Sequence, residues 1–168
     1  MGNRQRQRLL PGKLTSVMSF VNPVNKSICL EQVCESNYQK LLKLIPDLMA
    51  FNETAIGRAP HHTTLHLEVI ERTPYTMTVE LSHCFNKNQH ELLEPAVKIR
   101  VYLDAHLAEV LSDHARAGVA QVFKDPGLSR EIMNYKWRLN YFLQKWLDHC
   151  LKKNYLFSAN AGQTEVLI

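Results

Sequence analysis

The chain is 168 residues long and 19.4 kDa, with 45% hydrophobic and 21% charged residues. That balance excludes disordered, collagenous and membrane-spanning classes and fits one compact globular domain. The net charge of +4 belongs to the start of the chain: Arg4, Arg6, Arg8, Lys13 and Lys26 precede the first acid, Glu31, and leave 15 basic against 16 acidic side chains after them.

Residues 1–26 read as a basic flexible tail, followed by a single α+β domain over 27–157 and a C-terminal tail over 158–168. The first periodic segment runs from Ser27 to Ile45, where Leu30, Cys34, Tyr38, Leu41, Leu42 and Ile45 recur at three- and four-residue steps and predict an amphipathic helix. Ser27 is placed to accept a bond from a first-turn amide, and Pro46 pushes its predecessor out of helical geometry. From there to His62, Asn52, Gly57 and Pro60 break any sustained period; the stretch reads as a connection holding at most a short strand.

At Thr64 the period becomes two. Leu65, Leu67 and Val69 alternate with Thr64, His66 and Glu68, and Tyr75, Met77, Val79 and Leu81 alternate with Thr76, Thr78, Glu80 and Ser82. With only Glu71 to Pro74 between them, the two strands predict an antiparallel hairpin. Pro95 opens a third run, in which Val97, Ile99, Val101 and Leu103 oppose Lys98, Arg100, Tyr102 and Asp104. A weaker fourth follows from His106 to Leu111 after a turn at 104–106. Residues 112–129 are mixed, with a turn at 124–127 and room for an edge strand. Ser129 then caps a second helix, whose stripe of Ile132, Tyr135, Leu139, Phe142, Leu143, Trp146, Leu147, Cys150 and Leu151 must be buried. The expected fold is α+β: an antiparallel meander of about four strands, with an N-terminal and a C-terminal amphipathic helix packed on one face.

Laid out in this order, four stretches resemble the YqiB-like bacterial proteins, a family defined by a domain of unknown function. They are residues 34–38 leading through Leu41 and Leu44 to Pro46; Glu71 with Thr73, Tyr75 and Thr76; residues 97–102 with Asp104, Ala105 and 108–110; and Asn140 with Phe142, Leu143, Trp146, Leu147, Cys150 and Leu151. The resemblance spans roughly Met18 to Leu151. It implies a domain and no reaction, cofactor or catalytic residue.

The residue-level search points the same way. A phosphate loop, a GxGxxG turn, HExxH, GxSxG and CxxC are all missing from the sequence. His90 to Glu94 comes near the zinc pattern but lacks the second histidine and sits between predicted strands. His66, His83 and Cys84 come near one another if the hairpin pairs as read, which is the remaining metal-like grouping. Neither constitutes a site, and no metal, cofactor or catalytic residue is assigned. The cysteines, Cys29, Cys34, Cys84 and Cys150, are spread through a chain with an adequate core and read as reduced thiols; Cys29, in the first turn of a helix, is the one placed to be reactive.

The polar face of the sheet brings the more promising groups together. Glu71, Thr73, Tyr75 and Thr76 at the first turn, with Arg100, Tyr102, Asp104 and Glu109, form a candidate ligand or partner site. Turn-setting and cross-strand pairing account for the same residues. On the second helix, Trp137 and Tyr141 lie four apart beside Arg138 and off the main stripe, where they either form an exposed aromatic pair that anchors a partner or equally widen the core contact of the helix. The favoured expectation is a cytoplasmic, non-enzymatic binding or adaptor domain with a protein partner and no membrane attachment. A small enzyme or ligand sensor using the sheet face ranks second. Nucleic-acid binding through the basic tail ranks third, because the near-neutral body offers no basic platform.

Overall fold

A computed structural model of the chain describes residues 26–87, 90–111 and 126–159. Its elements, in chain order, are α1 (Lys26–Leu44), a 3-10 turn (Leu48–Ala50), β1 (Thr54–Arg58), β2 (Thr64–Arg72), β3 (Thr76–Lys87), β4 (His90–Tyr102), β5 (Leu107–Leu111), α2 (Pro126–Leu151) and β6 (Leu156–Ala159). The expected α+β architecture is present, with every neighbouring strand pair antiparallel, but among the described residues the sheet has six strands in the order β5-β4-β3-β2-β1-β6 rather than about four.

The two additional strands pair with each other. β1 lies inside the predicted connection, and its core-facing residues are Ala55 and Gly57, too small to register as hydrophobic alternation. β6 is only four residues long and pairs with β1 across a hundred positions of sequence, so Ser158 and Ala159, placed in a tail by sequence, belong to the sheet. Gly57 faces Phe157 in register, and a Cβ at Gly57 would stand 2.6–2.9 Å from three ring atoms of Phe157. The missing side chain is thus the seat of the aromatic ring. Gly57→Val is expected to lose about 1–3 kcal/mol in urea unfolding through overpacking. The Gly57→Val, Phe157→Ala double variant should lose less than the two single losses combined, and strict additivity would refute the contact.

Other boundaries shift for local reasons. α2 begins at Pro126 rather than Ser129; proline suits a first helical position because its fixed φ is already helical and no amide is wanted there. His90 to Glu94 lies within β4, not between strands. The predicted turn at 104–106 is present, with His106 at φ 55 closing it. Residues 1–25, 88–89, 112–125 and 160–168, which include most of the basic start and residues 112–125 of the mixed stretch, lie outside the described residues, as does the side chain of Ser27.

Both helices cover one face of the sheet. Leu41, Leu44 and Ile45 from α1 and Leu143, Trp146, Leu147 and Cys150 from α2 join Leu65, Leu67, Met77, Val79, Leu81, Ile99 and Val101 in one buried cluster. The helices are tied to each other by Lys40 Nζ to Asp148 Oδ1 at 2.7 Å and by Gln144 Nε2 donating to Ser36 Oγ at 3.1 Å.

A polar knot lies inside this packing. Asn140, 0% exposed, accepts the Val110 amide of β5 through Oδ1 at 2.8 Å and donates from Nδ2 to the Lys136 carbonyl at 2.9 Å. Its own carbonyl accepts Nδ2 of Asn37 at 3.1 Å, another residue with no exposure. The bond to Val110 satisfies an outward amide of an edge strand, so α2 closes the side of the sheet that would otherwise offer itself to another chain.

Candidate functional site

The outer face of the sheet owes its arrangement to one irregularity. Simple alternation from Leu65, Leu67 and Val69 would send Glu71 to the core. A bulge between Val69 and Glu71 intervenes: Val69 pairs with Val79, but Glu71 pairs with Thr78 and Arg72 with Met77. The extra residue, Ile70, is left exposed, and the pattern beyond it reverses. Glu71 consequently reaches the outer face, while Arg72 turns toward the core side. There Nη2 of Arg72 donates to the carbonyls of Met49 and Phe51, each at 3.0 Å, and clamps the 3-10 turn beneath the sheet end.

Register then aligns Glu71, Thr78, Arg100 and Glu109 as one row across four strands. Arg100 Nη2 stands 3.9 Å from Glu71 Oε2, and its Nε donates to Thr78 Oγ1 at 3.5 Å. Tyr102, one pleat along, donates its hydroxyl to Glu109 Oε1 at 2.7 Å, while Lys136 Nζ from α2 lies 3.8 Å from Glu109 Oε2. Burial, reinforced by the Glu109 carboxylate and partly offset by Arg100, pushes the Tyr102 phenol up to about 12. The phenol is a fixed hydrogen-bond donor at neutral pH.

Of the residues singled out from sequence, Glu71, Thr76, Arg100, Tyr102 and Glu109 come together here. Thr73 and Thr76 close the β2–β3 turn: their hydroxyls are 2.8 Å apart, the Thr73 amide donates to the Thr76 carbonyl at 2.8 Å, and Thr73 Oγ1 accepts the Thr76 amide at 2.9 Å. Tyr75 projects from this turn with 68% exposure, and its carbonyl accepts the Leu103 amide at 2.9 Å, joining the two turns at this end of the sheet. Asp104 is exposed and uses Oδ1 to accept the Ala105 amide at 2.9 Å, a turn-setting role. Thr78, which alternation already places on the polar face, joins the row; Lys136 escaped sequence reading, because only the lie of α2 along β5 brings it to Glu109.

Of the two forms expected for the aromatic pair on α2, the structure favours the one in which it widens the core contact. Trp137 and Tyr141 do stack, with centroids 4.9 Å apart and planes 13° from parallel, and Lys145 Nζ sits 5.2 Å from the Tyr141 centroid. Trp137, however, is only 7% exposed, so the pair offers the Tyr141 ring at its rim rather than two open rings.

The metal-like grouping separates across the sheet. His66 pairs with Ser82 and lies on the outer face, whereas His83 pairs with buried Leu65 and accepts the Trp146 indole N–H on Nε2 at 2.9 Å on the core face. Among the described residues, no group of three or more His, Cys, Asp and Glu is placed to hold a metal ion. Burial raises the thiols of Cys34 to about 12 and Cys150 to about 11, which keeps both as neutral packing groups. A cleft of about 380 Å³ lies where α1 ends and β6 begins, lined by Lys43, Leu44, Pro46, Asp47, Leu151 and Tyr155 among others; none of the candidate residues lines it. Among the described residues no helix is long and apolar enough to cross a membrane.

Residues 40–156 match the family model described as "Protein of unknown function (DUF1249)". The chain belongs to this family. It is similar to the uncharacterized protein YqiB of Escherichia coli strain K12, with 28% identity over 120 residues that cover 71% of this chain and 84% of the relative. The proteins of the same name from strains O6:H1 and O157:H7 match to the same extent. No solved structure matches. The DUF1249 span begins inside α1 and ends at the first residue of β6, so it holds the entire outer-face row together with the Trp137–Tyr141 pair. The basic start lies outside it.

Proposed function

We propose that this DUF1249 protein is a cytoplasmic, non-enzymatic binding or adaptor domain whose protein partner docks on the outer face of the sheet at the β2–β3 turn. The observation that carries this reading is the combination of an ordered polar row, Glu71–Thr78–Arg100–Glu109, with two exposed apolar side chains beside it, Ile70 and Tyr75. Exposed aromatic and arginine side chains on a rigid support are the usual anchors of a protein contact. The bulge that lifts Glu71 onto this face also pushes Ile70 outward, so one local feature supplies both the polar and the apolar contact.

Tyr102, kept a neutral phenol by burial and by the Glu109 carboxylate, supplies this face with a fixed hydrogen-bond donor.

Affinity capture with the full chain, paired with a thermal-shift screen against nucleotides and metabolites, tests the reading. One dominant captured protein is expected, and Tyr75→Ala and Arg100→Ala should each weaken its binding by about 30-fold, the effect of losing an anchor worth about 2 kcal/mol. A metabolite at about 100 times its Kd adds about 2.7 kcal/mol of stability, a rise of about 5–10 °C in Tm for a chain of this size. Such a shift, abolished by Arg100→Ala, would replace the adaptor reading with the ligand-sensor one.

A further inference from the structure

The near-neutral body conceals a separation of charge. Between residues 27 and 125 there are 13 acidic against nine Lys and Arg side chains; between 126 and 153 there are six Lys and Arg against only Glu131 and Asp148. The excess positive charge of the body is therefore gathered on α2 and the turn after it. Asp148 is engaged with Lys40 of α1.

The fold sorts these residues further. From Ile132 to Lys152 the exposed side chains are Tyr135, Arg138, Phe142, Lys145, His149 and Lys152. They form a single line along the helix and into the following turn; exposed Glu131, seven residues before Arg138, stands at its N-terminal end, and from Tyr135 onward the line contains no acid. Rings and cations alternate on it: Tyr135, Phe142 and His149 recur every seven residues, and Arg138, Lys145 and Lys152 recur every seven residues between them. Seven residues of helix rise about 10.5 Å, so the line extends about 25 Å. Tyr135 is 43% and Phe142 47% exposed, and Phe142 is backed by Trp146 at a centroid distance of 6.2 Å.

We infer that this line is a binding surface for single-stranded nucleic acid, a partner distinct from the protein proposed for the sheet face. A single strand presents phosphates and unstacked bases in alternation along its length, and cations interleaved with rings match both. A membrane surface fits less well, because an interfacial helix separates its apolar face from its cations, whereas here they share one line. Insertion into a duplex major groove, about 12 Å wide, is opposed by α1 and β5 packed along the same helix. The sequence-based ranking placed nucleic acid last because it looked for a platform in the net charge of the body; the platform arises from folding the cations onto one helix face.

The test is fluorescence anisotropy of the full chain with labelled (dT)20 and (U)20 between 50 and 200 mM salt. Saturable binding is expected, weakening steeply as salt rises. The variant Arg138→Gln, Lys145→Gln, Lys152→Gln should flatten the slope of log affinity against log salt by about 2, since each phosphate contact with a single strand contributes about 0.7. Phe142→Ala should weaken binding about tenfold with the slope unchanged, as loss of a stacked base does; circular dichroism of this variant confirms its fold. Absence of saturable binding at 50 mM salt overturns the inference. So does a triple variant with wild-type affinity and slope, which would put the binding on the basic residues before position 27. Equal or tighter binding to phosphatidylserine vesicles or to polyglutamate overturns it in favour of a membrane or an acidic protein.

Discussion

Asn140→Leu is expected to cost about 3 kcal/mol and to lower Tm by about 6–12 °C. Leucine keeps the branched outline of asparagine but is the bulkier residue, so no cavity is made; the loss is chiefly polar, with some overpacking. The Val110 amide, held at 2.8 Å by Asn140 Oδ1, is left in a site closed to water, and a buried donor without a partner costs about 1–3 kcal/mol. Loss of the Nδ2 bond to the Lys136 carbonyl and burial of a branched chain against Asn37 account for the rest. Asn37→Ala removes only the bond to the Asn140 carbonyl and should cost about 1–2 kcal/mol. Urea unfolding followed by circular dichroism measures both. Hydrogen exchange supplies the second readout: the Val110 amide should exchange faster in Asn140→Leu than the drop in global stability explains, because its bond is lost in the native state. A loss under about 1 kcal/mol, with Val110 protection tracking global stability, would show that this bond does not hold β5 in place.

Trp146→Ala should cost about 3–5 kcal/mol, the range for removing a large aromatic from a packed core. Trp146 lies in the buried cluster between α2 and the sheet, contacts the Phe142 ring, and donates its indole N–H to His83 Nε2. That bond requires the neutral imidazole, since a protonated Nε2 would confront the indole with a second N–H. Burial, with Lys153 and His149 nearby adding to it, holds the His83 pKa below its ordinary 6.5. A histidine with a lowered folded value gives its full stability above the unfolded value and loses it as the pH falls through the folded one. The wild-type protein is therefore expected to keep its urea midpoint from pH 7.5 down to about 6.5 and to lose stability below that. His83→Gln, whose carbonyl can accept the indole, should be flatter over pH 5–7. If wild type and His83→Gln decline in parallel, the acid sensitivity lies elsewhere.

The legible parts of this fold are those whose cause is local. Leu65, Leu67 and Val69, and then Val97, Ile99 and Val101, declare strands and their buried face because a pleat alternates sides and each position carries an unmistakably apolar residue. The stripes of α1 and α2 are equally plain. β1 was legible only as room for a short strand, since Ala55 and Gly57 are too small to mark alternation, and the reason for the size of Gly57, the Phe157 ring, lies a hundred residues away. β6 needs β1 to be a strand at all.

The candidate site divides along the same line. Alternation places Arg100, Tyr102 and Glu109 on one face, and that much follows from counting residues. Glu71 joins them only because of the bulge after Val69, and Arg72 reaches the Met49 and Phe51 carbonyls for the same reason; nothing in the residues 69–72 marks where the extra residue falls. The helix stripe alone left Trp137 undecided between an exposed anchor and a core contact, and the folded chain buries it.

The family, the α+β class, the two amphipathic helices and the apolar face of the central strands are properties of the sequence, because hydrophobic periodicity is a local signal and burial follows it. Strand number, the bulge and the Asn37–Asn140–Val110 knot were decided by tertiary structure. Each depends on which distant segments come into register, and that depends on the free energy of packing the whole core rather than on any run of neighbouring residues.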